Sequence, residues 1–98
     1  MEFGVNCSKG DAFDRLIQHL CGNLQDHQYY DVRFLCLHLI RPGSMSRISN
    51  MQDLLTALIH RDFISADDVS FLWDVLITIE RYDLAEDVQR YFLVWDNE

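Results

Sequence analysis

Three acidic pairs, Asp67 with Asp68, Glu80 with Asp83 and Glu86 with Asp87, are the first candidates for chemistry. Two carboxyls in different environments can divide acid and base work between them. A glycosidase, however, needs its carboxyls on opposite sides of a substrate cleft. A helical chain of 98 residues offers little concave volume for one, and capping and solvation already account for these side chains. His19, His27, His38 and His60 are scattered and never form HExxH. His19 with Cys21, and Cys36 with His38, stand two residues apart, which on a helix turns them to different faces. No CxxC pair, glycine-rich phosphate loop or nucleophile elbow occurs. The residues therefore predict no enzyme, no metal site and no cofactor.

The polar group that stands out is Arg81-Tyr82-Asp83-Leu84, which interrupts two apolar stripes. A guanidinium presents five donors in a rigid fork, so Arg81 can hold Asp83 and a carboxylate from another helix together. The alternative is a solvated helix end of little energetic value.

These residues need helices to position them. A first helix is predicted over about residues 11–21, with Phe13, Leu16, Ile17 and Leu20 inward and Gly22 near its end. A second runs over about 27–40, with Val32, Leu35, Cys36 and Leu39 as its main stripe, and Tyr30, Phe34 and Leu37 on another side. Pro42 stops it. One short turn is expected around 44–48. Ser49 or Asn50 then caps a helix carrying Met51, Leu54, Leu55, Leu58 and Ile59. Ser65 and Asp68 have capping-box spacing, with Ile64 and Val69 as a staple, and predict the start of a fifth helix carrying Leu72, Trp73, Leu76 and Ile77. Asp83, with Glu86 three residues on, predicts the cap of a sixth, whose stripe is Leu84, Val88, Tyr91, Phe92 and Trp95. The fold class is all-α: a compact antiparallel six-helix bundle with a short or irregular third helix. Residues 1–10 are expected to be a flexible lead, 11–95 the domain and 96–98 a tail. Phe34 is either a docking residue or a second-layer core ring, because periodicity alone cannot choose.

One proline and four glycines suit helices, and this length fits a single domain of modest stability. Cys7, Cys21 and Cys36 are an odd set, two of them inside apolar patterns, as expected of thiols in a reducing compartment. With no apolar run near ~20 residues and no signal-peptide pattern, the expected location is cytoplasmic or nuclear. Residues 1–49 balance five acids with five bases, whereas 50–98 hold eleven acids against three bases, so the net charge of −8 resides there. That polarity disfavours nucleic acid and anionic membrane. It permits head-to-tail attraction between copies, or serves solubility alone.

Phe34-Leu35-Cys36-Leu37 on the second helix and Arg81-Tyr82-Asp83-Leu84 at the fifth-to-sixth junction carry a resemblance. Over about residues 11–95 the chain resembles a death effector domain, a six-helix member of the death-fold superfamily. That family bears an Arg-x-Asp-Leu signature, here RYDL, and often an apolar segment like FLCL. The resemblance implies a charge network in which Arg81 and Asp83 join an acid of the second helix. The usual acid falls nearest Gln28, so Asp31, one turn on, is expected as the substitute.

The resemblance further implies homotypic assembly in apoptotic or inflammatory signalling, with partners among the death effector domains of an adaptor, an initiator caspase or a regulator. Self-association or a filament belongs to the same expectation. In one common mode the first and fourth helices of one domain receive the second and fifth of another. Phe34 matches the exposed apolar position of such a pairing, and Leu37, Arg33 and Gln28 are the accompanying partner-binding candidates. Other readings are a caspase-recruitment or pyrin-type module, or a helical regulatory domain bound by an unrelated protein.

Overall fold

The structure is a computed structural model that describes residues 8–95, so Cys7, most of the expected lead and the 96–98 tail lie outside the described residues. Six helices follow in order: α1 Lys9–Asn23, α2 Asp26–Leu35, α3 Pro42–Met45, α4 Met51–His60, α5 Ser70–Thr78 and α6 Tyr82–Trp95. The bundle is all-α with a short third helix; α6 packs on α5 and α1, and α1 on α4. Among the described residues, no helix is long and apolar enough to cross a membrane.

Local chemistry explains most of the boundaries. Ser8 Oγ accepts the Asp11 N–H at 3.2 Å, so α1 begins at Lys9, two residues before its expected start. Asn50 Oδ1 accepts the Asp53 N–H at 2.8 Å and opens α4. Pro42 stands at the start of α3, where its missing N–H costs nothing. It also holds Arg41 extended, at φ −60° and ψ 144°. The second helix stops at Leu35 rather than near residue 40. Its chain continues in tighter turns, with Leu37 N–H donating to Phe34 O and Leu39 N–H to Cys36 O, yet Val32, Cys36 and Ile40 all stay buried. The Cys36 N–H still reaches Val32 O at 3.1 Å and the Ile40 N–H reaches Cys36 O at 3.3 Å, so the four-residue apolar spacing survives in a segment of mixed three- and four-residue bonds.

The expected start of the fifth helix is also corrected. Ser65 Oγ does accept the Asp68 N–H, but Ser65 and Asp68 exchange backbone bonds of 3.0 and 3.1 Å and close a turn. Asp68 Oδ1 then takes the N–H and hydroxyl of Ser70, where α5 begins. Likewise α6 begins at Tyr82, which places Asp83 inside its first turn rather than at its cap.

The core contains Phe13, Leu16 and Leu20 of α1, Leu54, Leu55 and Leu58 of α4, Leu72, Val75 and Leu76 of α5, and Leu84, Val88 and Tyr91 of α6. The Tyr91 hydroxyl donates to Ala66 O at 2.6 Å, and its ring lies 6.1 Å from that of Phe13, so one side chain ties α6 to α1 and to the loop before α5. Trp73 and Phe92, expected in the inward stripes, are 39% and 44% exposed.

Two helices end on the same device. After α5, Glu80 takes φ 63°, its N–H bonds Ile77 O at 3.0 Å, and the Arg81 N–H bonds Leu76 O at 2.9 Å. After α4, Asp62 at φ 63° and Phe63 repeat the pattern on Ile59 and Leu58. These are Schellman caps built without glycine, at positions where a Cβ is disfavoured. Glu80→Gly is expected to stabilise the fold by about 1 kcal/mol, a rise of roughly 4–8 °C in melting temperature. An unchanged or lower midpoint in a thermal melt would contradict the strain assigned to Glu80.

Candidate interaction site

The cap at Glu80 reverses the chain and delivers Arg81 to the point where α1 ends, α2 begins and α6 begins. Its fork is occupied on three sides. Nε and Nη2 donate to Asp83 Oδ1 and Oδ2, each at 3.0 Å. Nη1 donates to Gln28 Oε1 at 2.6 Å and to Asn23 O at 2.8 Å. The same Gln28 Oε1 accepts the Gln25 N–H at 3.0 Å and so caps the first turn of α2. Bonding to Arg81 holds the Asp83 carboxyl below the ordinary carboxylate range, and Asp83 in turn raises the Arg81 pKa.

Asp31 does not enter this network. It is exposed, while Gln28, 7% exposed, fills the position between Arg81 and the start of α2. The expected second carboxylate is not needed, because the guanidinium requires only an acceptor. An uncharged oxygen already aimed at the helix start meets that need without placing a second anion beside Asp83.

The other candidates, on α2 and in the turn that follows it, separate into two groups. Arg33 is half-buried, its Nη1 donating to Ile48 O at 2.9 Å and to the Tyr29 hydroxyl at 3.0 Å. Tyr29 donates to the same carbonyl at 3.2 Å. Arg33 and Gln28 therefore hold α2 in place. Phe34 and Leu37 instead face outward, 73% and 51% exposed, and Tyr30 joins them at 65%. Tyr30, Phe34 and Leu37 follow the i, i+4, i+7 pattern that groups them on one side in the sequence, so the patch includes Tyr30 beside the two partner-binding candidates. A concave surface lies between α1 and α4, a groove of about 310 Å³ lined in part by Asp14, Ile17, Gln18, Cys21, Thr56 and Ile59. Among the described residues, no group of three or more His, Cys, Asp or Glu side chains is placed to hold a metal ion.

Arg81→Ala removes charged donors from four acceptor oxygens on three residues and is expected to cost about 2 kcal/mol. Arg81→Lys keeps the charge but loses the fork, and should recover less than half of that in urea unfolding. Asp83→Asn carries a pH signature. A carboxyl depressed in the fold contributes stability above its unfolded value of about 3.9 and loses it as pH falls through the folded value. The variant should therefore be less stable than the parent at neutral pH and converge with it on acidification, and a gap independent of pH would oppose this.

The family model of the death effector domain matches residues 13–92, which reaches from the first turns of α1 to the last turn of α6. A search of curated proteins returned no match. Death effector domains are non-catalytic modules of protein–protein interaction in death-fold signalling, generally homotypic. With that match across six helices and the Arg81–Asp83 network at the junction of the last two, this chain belongs to the death effector domain family.

Proposed function

We propose that the chain recruits or regulates other death effector domains, in an adaptor, an initiator caspase or a regulator, through the outward face of α2. Phe34 carries this reading, as the most exposed large apolar side chain among the described residues. Tyr30 and Leu37 extend the patch, and a second domain can bring its α1–α4 groove against it, with Ile17 and Ile59 as the apolar contacts if that domain is a copy of this chain. Burial contributes roughly 25 cal/mol per Å² before ordering costs, so the aromatic centre dominates and surrounding charges set register. Arg33 and Gln28 act by fixing α2, and the Arg81–Asp83 network by fixing the junction against which α2 rests. A cytoplasmic or nuclear setting accords with this role and with two free thiols, Cys21 and Cys36, the latter pushed by burial up to about 11.

Phe34→Asp places a charge at the centre of the patch without entering the core. Capture of a death-effector-domain partner, or self-association seen by light scattering, should weaken by at least about tenfold, with helical content near that of the parent. Assembly unchanged in a folded Phe34→Asp variant would refute the docking role.

A further inference from the structure

A second apolar surface lies away from both α2 and the α1–α4 groove. The helices α5 and α6 meet at the Glu80 cap, and towards their far ends, the start of α5 and the end of α6, they leave a groove of about 290 Å³. Val69 and Val88 are buried at its base, and Trp73 and Phe92 stand partly exposed along it. Asp67, Asp68 and Asp74 also line it. Asp67 is engaged by Lys9 Nζ at 2.7 Å, and Asp68 uses Oδ1 for Ser70. The Asp74 carboxylate meets no protein donor among the described residues.

We propose that this groove receives a cationic amphipathic segment of a partner protein, one large apolar side chain flanked by arginine or lysine. The charge of the rim selects the occupant. A purely apolar segment would strip water from the carboxylates and return nothing to them, and an anionic one would be repelled. A flanking arginine answers both surfaces at once: its planar head stacks on an aromatic face such as Trp73, and its N–H groups reach a carboxylate such as Asp74. At about 290 Å³ the groove has room for one or two inserted side chains. The acidic half of the chain, which carries the net charge of −8, also steers a cationic segment towards it.

The test is fluorescence polarisation of a labelled synthetic helical peptide with an apolar stripe bordered by arginines, beside the same peptide with glutamate at each arginine. The basic peptide should bind saturably and the acidic one should not. Trp73→Ala and Asp74→Lys should each weaken binding by at least about tenfold. Phe34→Asp should leave it unchanged, which separates this surface from the α2 face. Asp74→Lys lies wholly on the surface and decides the matter should Trp73→Ala fail to fold. The proposal is overturned by absence of binding, or by affinity that survives Asp74→Lys and a folded Trp73→Ala, which would mean diffuse attraction to an acidic chain. Loss of binding in Phe34→Asp would overturn it as well. So would self-association that requires Trp73 in a protein that ignores the peptide, which would make a second copy the occupant.

Discussion

The structure depends on one cation set among three helix ends. Arg81 donates to the last residue of α1, to the side chain that caps α2, and to a carboxylate in the first turn of α6. Each partner has the sign that its place favours. Carbonyls at a helix C-terminus carry partial negative charge and welcome a guanidinium, whereas exposed N–H groups at a helix start welcome the Asp83 carboxylate. With Gln28 in place of an acid, one positive and one negative charge remain at the junction. The network therefore does not store repulsion between two carboxylates, and it leaves Asn23 O and Gln28 Oε1 satisfied at a partly buried seam.

This anchoring explains how α2 can leave large apolar side chains in water. The helix is held at its start through Gln28 and further along through Tyr29 and Arg33, both bonded to Ile48 O. Val32 and Cys36 supply the core contact. Phe34 and Leu37 thus face outward, and Tyr30, its ring 5.1 Å from that of Tyr29, joins them on a backbone held by those bonds. Little further ordering is needed when the patch is covered, and preorganisation of this kind favours binding without adding contacts.

Much of the fold was legible because helical periodicity is repetitive and polar caps are local. The stripe Leu54, Leu55 and Leu58 marks α4 in the sequence, and Ser49 or Asn50 marks its start, of which Asn50 takes the cap. Other signals were ambiguous for physical reasons. The Ser65–Asp68 spacing serves a tight turn as well as a helix cap, and the choice depends on where Leu72, Val75 and Leu76 find the core. The caps at Glu80 and Asp62 carry no glycine to announce them. Phe34 lies on an apolar arc wider than one neighbour can cover, so only the packed bundle decides which part stays outside. Asp31 is the acid one turn on from the position where the resemblance places one, whereas the fitness of the neutral amide of Gln28 depends on direction and reach, which a sequence does not display.

The bond from Arg81 to Asn23 joins residues 58 apart, while the helices it connects are terminated by neighbours in sequence. Closing so long a loop is costly early in folding, when few contacts exist to offset the lost entropy. Local helices can form first and the guanidinium can lock them afterwards. An interaction absent from the folding transition state slows escape from the native state more than it speeds arrival. A junction that closes after that transition state acts chiefly as a latch on lifetime, prolonging the interval for which the docking faces stay intact.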